Sequence, residues 1–232
     1  MAQPPRLVLF ARSPAPGTVK TRLVPPLSAE EAARLYQAFL EDAARAYVFP
    51  GRWECVLDAH PEPDTPALSA LFGSPWRREK QGAGGLGERL AAAFEREFSC
   101  GAPAVVAVGS DHPALPRRLL AECFGALVEG FDASVVPAED GGYCAIGLAP
   151  HVPVGRVFDG VPWSSPSVLE ATRERMRAAG LRLAELETAY DVDRPEDLRR
   201  LRLDLASRDP ESPDYPRATA RAMATLPAEG PP

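Results

Sequence analysis

Four short segments of this chain set charged side chains beside glycine or proline in patterns suited to holding phosphates, a divalent metal or an acceptor. The first, ARSPAPGTVKTRL, follows an apolar run and spans Ala11 to Leu23. Gly17 lets the backbone approach an anion, and Lys20 and Arg22 supply charge to hold phosphates. Val19 stands before Lys20, so the Gly-Lys-Ser/Thr ending of an ATPase loop is absent. Solvated loop charges are the plain alternative for this pair.

The second segment, Ser110-Asp111-His112-Pro113, ends a run of valine and alanine. A carboxylate at the end of a buried strand is costly unless a cation sits beside it. A divalent metal, Mg2+ or Mn2+, held by Asp111, a partner carboxylate and phosphate oxygens removes that cost. A helix cap or a turn before Pro113 is the bland alternative. In Glu139-Asp140-Gly141-Gly142-Tyr143, the acids could bind acceptor hydroxyls, act as base or help hold the metal, while the glycines admit close backbone approach. The same letters spell a hairpin turn. In Asp191-Val192-Asp193-Arg194-Pro195, the alternation puts Asp191 and Asp193 on one side of an extended chain, a second source of metal ligands. Pro195 suits the first position of a helix, and Asp193 is equally suited to cap it.

Such side chains need elements to position them. Apolar runs (RLVLF, WECVLDA, PAVVAVG) alternate with longer helical patterns (SAEEAARLYQAFLEDAARAYV, LGERLAAAFEREF, LPRRLLAECFGALVEG), the order of βαβ units. Ala32, Leu35, Tyr36, Phe39, Leu40 and Ala43 recur every three or four residues behind Ser28 and Glu31, which resemble a capping box. A parallel sheet with helices on both faces follows, and its ligands bind beyond the carboxyl ends of the strands. The second half predicts two strands around the Glu-Asp-Gly-Gly turn and an irregular VFDGVPWSSPS stretch. A helix from about Ser165 to Ala179, a strand LRLAELE and a closing helix follow, so the sheet is mixed. Trp163 is either an apolar wall on the acceptor side or ordinary core.

A net charge of −6 argues against nucleic-acid and anionic-membrane partners, which favour a basic face, and leaves a small-molecule partner. The four cysteines, Cys55, Cys100, Cys123 and Cys144, have no disulfide or zinc spacing. No stretch reaches membrane-spanning length and the N-terminal apolar run is too short for a secretion signal, so the cytoplasm is expected. The 26 prolines fall mostly at segment ends and stiffen loops. One domain is expected over residues 1–208, followed by a Pro-rich tail over 209–232 with a short helix around Ala218 to Thr225. Composition leaves the oligomeric state open, a homodimer included.

From Arg6 to Leu203, the ordered set FARSPAPGTVKTRL, QGAGGLGERL, VGSDHPAL, PAEDGGYCAIGL, VPWSS and DVDRPEDL resembles the DUF2064 group of nucleotide-diphospho-sugar transferases, labelled as "transferase 1" glycosyltransferases. The resemblance implies a GT-A-like three-layer α/β/α sandwich with a mostly parallel mixed sheet. It implies nucleotide contacts from Ala11, Arg12, Gly17, Lys20, Arg22, Gln81, Gly84 and Ser110, and metal contacts from Asp111, Asp191 and Asp193. Asp140, Glu139 and Lys20 would then serve catalysis, with Gly141, Gly142, Tyr143 and Trp163 on the acceptor side. Two departures stand out: Gly85 occupies the place of an expected acid, and Ser-Asp-His replaces Asp-x-Asp. The first and last motifs are also similar to nucleotidylyltransferases of the same fold. The expected activity is metal-dependent glycosyl transfer from a nucleotide sugar to a small acceptor. Nucleotidylyl transfer from a nucleoside triphosphate is the alternative, and a catalytically inactive nucleotide-binding protein the third.

Overall fold

The strands divide their side chains between two apolar layers, as period-two alternation requires. In β1 (Arg6–Arg12), Leu7, Leu9 and Ala11 enter one cluster, and Val8 and Phe10 the other. β4 (Val105–Gly109) divides likewise, with Val106 and Val108 opposite Val105 and Ala107. Both strands are apolar on both faces because both faces are covered. The chain is described by a computed structural model over residues 3–226.

With β2 (Glu54–His60), β3 (Arg77–Lys80), β5 (Ala133–Pro137), β6 (Tyr143–Leu148) and β7 (Leu183–Glu185), these strands form a seven-stranded sheet in the order β3-β2-β1-β4-β6-β5-β7. Only β6 runs against its neighbours, because it returns from β5 through the Glu-Asp-Gly-Gly turn. One face carries α1 (Ala29–Ala46), α2 (Pro66–Leu71), α4 (Arg117–Val128), α7 (Pro195–Ser207) and α8 (Arg217–Thr225). The other carries α3 (Leu86–Ser99), α5 (Val154–Phe158) and α6 (Val168–Ala178). This is the expected three-layer sandwich. The capping box also forms: the Ser28 hydroxyl accepts the Glu31 N–H at 3.1 Å, and Glu31 accepts the Ser28 N–H at 2.8 Å.

The short elements α2, β3 and α5 escape the sequence patterns, being too brief to show a period. α6 begins at Val168 rather than Ser165, since Ser164 is left-handed (φ 62°) and the Ser165 hydroxyl is engaged by the Pro162 carbonyl at 2.6 Å. The Pro-rich segment forms the short helix expected around Ala218 to Thr225, and that helix packs on α1. Buried Asp42 of α1 accepts the N–H groups of Ala218 and Thr219 at 3.0 and 2.7 Å, and Met223 joins the core. The ends of the expected domain and tail, residues 1–2 and 227–232, lie outside the described residues. Among the described residues no helix is long and apolar enough to cross a membrane.

Candidate active site

The carboxyl ends of β1 and β4, the β5–β6 turn and the 190–194 segment surround a cleft of about 1000 Å³. The ends of β1 and β4 are tied by one side chain: the buried Tyr36 hydroxyl accepts the Arg12 N–H at 3.0 Å and shares a hydrogen bond with Ser110 Oγ at 2.7 Å. Gln81 ties β1 to β2, donating to the carbonyls of Asp58 at 2.7 Å and Ala11 at 3.5 Å. Its oxygen accepts from Arg89 Nη1 at 3.0 Å. The Gln81 carboxamide thus braces β1 against β2 and orients Arg89 at the edge of the cleft.

Lys20 departs most from expectation. Its backbone is left-handed (φ 49°), an unfavourable state for a residue with a Cβ, and its side chain is buried. The ammonium donates to the Val192 carbonyl at 2.6 Å, pairs with Asp111 and lies 4.0 Å from Asp193 Oδ1. The Val192 N–H in turn binds the Asp111 carbonyl at 2.9 Å, so the loop after β4 and the 191–193 segment are stitched together at Lys20. Partial burial opposes the charge on Asp111, but the Lys20 ammonium outweighs it and holds the carboxyl below the usual range. Arg22 pairs with Asp193 Oδ2 at 2.7 Å.

Asp193 does not cap α7, whose N-cap is Arg194. Asp197 accepts the N–H groups of Asp193 at 3.0 Å and Arg194 at 2.7 Å, which leaves the Asp193 carboxylate to the cleft and the two cations. Asp191 is pushed up to about 6, first by burial and then by the charge of Asp140. Glu139 is engaged outside this cluster, gripped by both nitrogens of Arg200, which also stacks 4.0 Å over Tyr190. That ion pair occupies both oxygens of the Glu139 carboxylate, whereas the Asp140 carboxylate accepts the Gly142 N–H at 2.9 Å.

Residues 43–165, just over half of the chain, match the model of DUF2064, described as an uncharacterized protein conserved in bacteria. The chain belongs to the DUF2064 family. It is 32% identical to a candidate nucleotide-diphospho-sugar transferase from Desulfovibrio desulfuricans G20, with a TM-score of 0.83 over 97% of this chain and 98% of that one. A cytidylyltransferase from Leptospira borgpetersenii serovar Hardjo-bovis shares the fold at 10% identity, with a TM-score of 0.60 over 96% of this chain and 94% of that one. A 4-diphosphocytidyl-2C-methyl-D-erythritol synthase shares it at 14% identity and a TM-score of 0.54, over 88% and 99%. No curated protein sequence matches the chain.

In this DUF2064 chain the cleft gathers Ala11, Arg12, Lys20, Arg22, Gln81, Ser110, Asp111, Glu139, Asp140, Gly142, Tyr143, Trp163, Asp191 and Asp193 from the expected set. Gly17, Gly84 and Gly141 stand outside its lining, and each holds a left-handed backbone that shapes a loop. Gly85, in the place of an expected acid, precedes α3, and its N–H is capped by Glu88 at 2.7 Å. Tyr143 and Trp163 meet edge to face at 6.2 Å, and Trp163 also packs on Phe158, so it is both wall and core.

Arg89 was absent from the sequence expectation, although it lies inside QGAGGLGERL. One turn into α3, it faces the cleft with Arg12, and among the described residues neither arginine pairs with a carboxylate. Burial, and after it the charge of Arg12, pulls the Arg89 pKa down.

The donor set also bears on a metal. Asp111 and Asp193 are hard oxygen ligands that already share a cation, the Lys20 ammonium, so the position suits Mg2+ or Mn2+. Among the described residues no group of three acidic, histidine or cysteine side chains is placed to hold a metal alone, so its remaining ligands would be water or phosphate oxygens.

Proposed function

We propose that this DUF2064 protein transfers a glycosyl group from a nucleotide sugar to a hydroxyl of a small acceptor. One observation carries the reading: the cleft has walls of opposite charge. Among the described residues Arg12 and Arg89 form no ion pair on the β1–α3 side, and Asp140 and Asp191 line the β5–β6 side. The 32% identical relative described as a candidate nucleotide-diphospho-sugar transferase supports it. A cytoplasmic location, where activated nucleotides are made, goes with it.

In the transfer, the bond between the sugar's anomeric carbon and the diphosphate oxygen breaks, and its electron pair leaves with the diphosphate. Arg12 and Arg89 neutralise that growing charge in a partly dry cleft, where fixed cations count for more than in water. The acceptor oxygen bonds to the anomeric carbon, and its proton passes to the Asp140 carboxylate. A divalent cation on Asp111 and Asp193 would add Lewis-acid stabilisation of the leaving diphosphate. Tyr143 and Trp163 form the apolar side against which an acceptor ring would rest.

Nucleotidylyl transfer from a nucleoside triphosphate to a phosphorylated acceptor is the second reading. The observation in its favour is that Arg12, Lys20, Arg22 and Arg89 all line the cleft, cations enough for a triphosphate. Phosphorus NMR of the protein with sugar nucleotides or nucleoside triphosphates, plus Mg2+ or Mn2+ and a mixture of small acceptors, separates the two. Release of nucleoside diphosphate supports glycosyl transfer, whereas pyrophosphate from a triphosphate supports the second reading. Binding seen as a rise in Tm without consumption indicates an inactive binder, and neither binding nor consumption overturns the proposal. Asp111→Ala is expected to abolish turnover and leave the fold intact by circular dichroism.

A further inference from the structure

The carboxylates of Asp111 and Asp193 are neutralised by cations of the chain itself, and these cations differ in burial. Arg22 reaches Asp193 from solvent with its side chain 63% exposed. Lys20 is 3% exposed and fully engaged by the Val192 carbonyl, the Asp111 carboxylate and the more distant Asp193 oxygen. Its Nζ also lies 6.0 Å from the ring centre of Tyr36 and 5.7 Å from that of Phe39, within cation–π range. These groups build a cation site, and a lysine fills it. The left-handed backbone of Lys20 shows that the loop is held in an unfavourable conformation while the ammonium is seated there.

We propose that Lys20 is the resident counter-ion of the Asp111–Asp193 site and that a divalent cation enters only by displacing it. The inference deepens the function proposed above, since it concerns the metal that the transfer would use. Lys20 and Arg22 offset the charge of the two carboxylates that they contact, Asp111 and Asp193, and so weaken the pull of those ligands on a divalent ion. An ion added beside the ammonium would meet like-charge repulsion from a buried cation that water screens poorly. Incoming phosphates change this balance by offering Lys20 new acceptors and the metal further oxygen ligands. Metal and phosphate should therefore bind with positive coupling, each raising the affinity of the other by the same factor.

The test uses metal alone. Mn2+ binding to the full chain, without nucleotide, is measured by electron paramagnetic resonance and calorimetry for wild type, Lys20→Met and Lys20→Arg. Wild type and Lys20→Arg should bind weakly, Lys20→Met about tenfold more tightly or better, and adding Asp111→Asn to Lys20→Met should erase the gain. Equal or weaker binding by a folded Lys20→Met protein would overturn the proposal. If that variant does not fold, lysine-labelled wild type is titrated with Mg2+ by nitrogen NMR. Loss of the hydrogen-bonded Lys20 Nζ signal on saturation supports displacement, and an unchanged signal refutes it. Because neither readout needs a nucleotide or turnover, either can fail while the transferase reading stands, and the reverse.

Discussion

At Gly141 the chain has room for a hydrogen and nothing larger. Its φ is +89°, and a Cβ there would lie 2.0 Å from the Pro166 carbonyl oxygen, a backbone atom that cannot swing aside. The Gly141 carbonyl also accepts the Leu169 N–H at 2.9 Å, which fastens the turn bearing Asp140 to the start of α6. Gly141→Ala therefore combines backbone strain with a hard clash and should cost about 2–4 kcal/mol. Urea unfolding measures it. A loss under 1 kcal/mol would mean that the turn and α6 can part easily, contrary to their packing.

Asp132 governs how three strands meet. It immediately precedes β5, and its carboxylate accepts the Arg182 N–H beside β7 at 2.6 Å and contacts His151 Nε2, just past β6, at 2.6 Å. The Arg182 N–H is the main reason its pKa is lowered, with burial opposing and His151 assisting. A folded pKa below the ordinary 3.8 means that the unfolded chain binds the proton more readily. The stabilisation is then present above 3.8 and lost as the pH falls through the lower, folded value. Asp132→Ala should cost about 1–2 kcal/mol at pH 7, and its melting curve should converge on that of wild type as the pH drops below 3.8. A gap that stays constant down to acid would show that the carboxylate's charge is not what matters.

Across the whole molecule, the last described helix closes the layer on the outer side of α1. Asp42, 176 residues before Ala218, caps α8 through two backbone N–H groups. Arg45 adds a bond to the Tyr215 carbonyl at 2.8 Å, and Arg221 pairs with Glu41. Asp42→Ala leaves both N–H groups without their acceptor beside a buried surface, at a cost of about 2–3 kcal/mol. Hydrogen exchange should show protection lost over residues 217–225 while β1 and β4 keep theirs. Uniform loss across the sheet would instead mean that α8 unfolds only together with the core.

Local rules carried the reading a long way. The alternation of short apolar runs with amphipathic stretches specified the three layers, Ser28 and Glu31 marked the start of α1, and strand-end placement pointed to the segments that bring Arg12, Lys20, Asp111, Asp140, Asp191 and Asp193 to one cleft. Each signal lies within a few residues of sequence, where period and cap chemistry act. The state of the site was decided by contacts that no local pattern encodes. Lys20 is buried because a carbonyl 172 positions away receives it, Asp193 is free of the helix cap because Arg194 holds that position with Asp197 accepting its N–H, and Glu139 is engaged by Arg200. Arg89 became visible only when α3 was seen to deliver it beside Arg12. The physical reason is the same in each case: charge seeks its partner through space, and only the packed sheet brings those partners within a few ångströms.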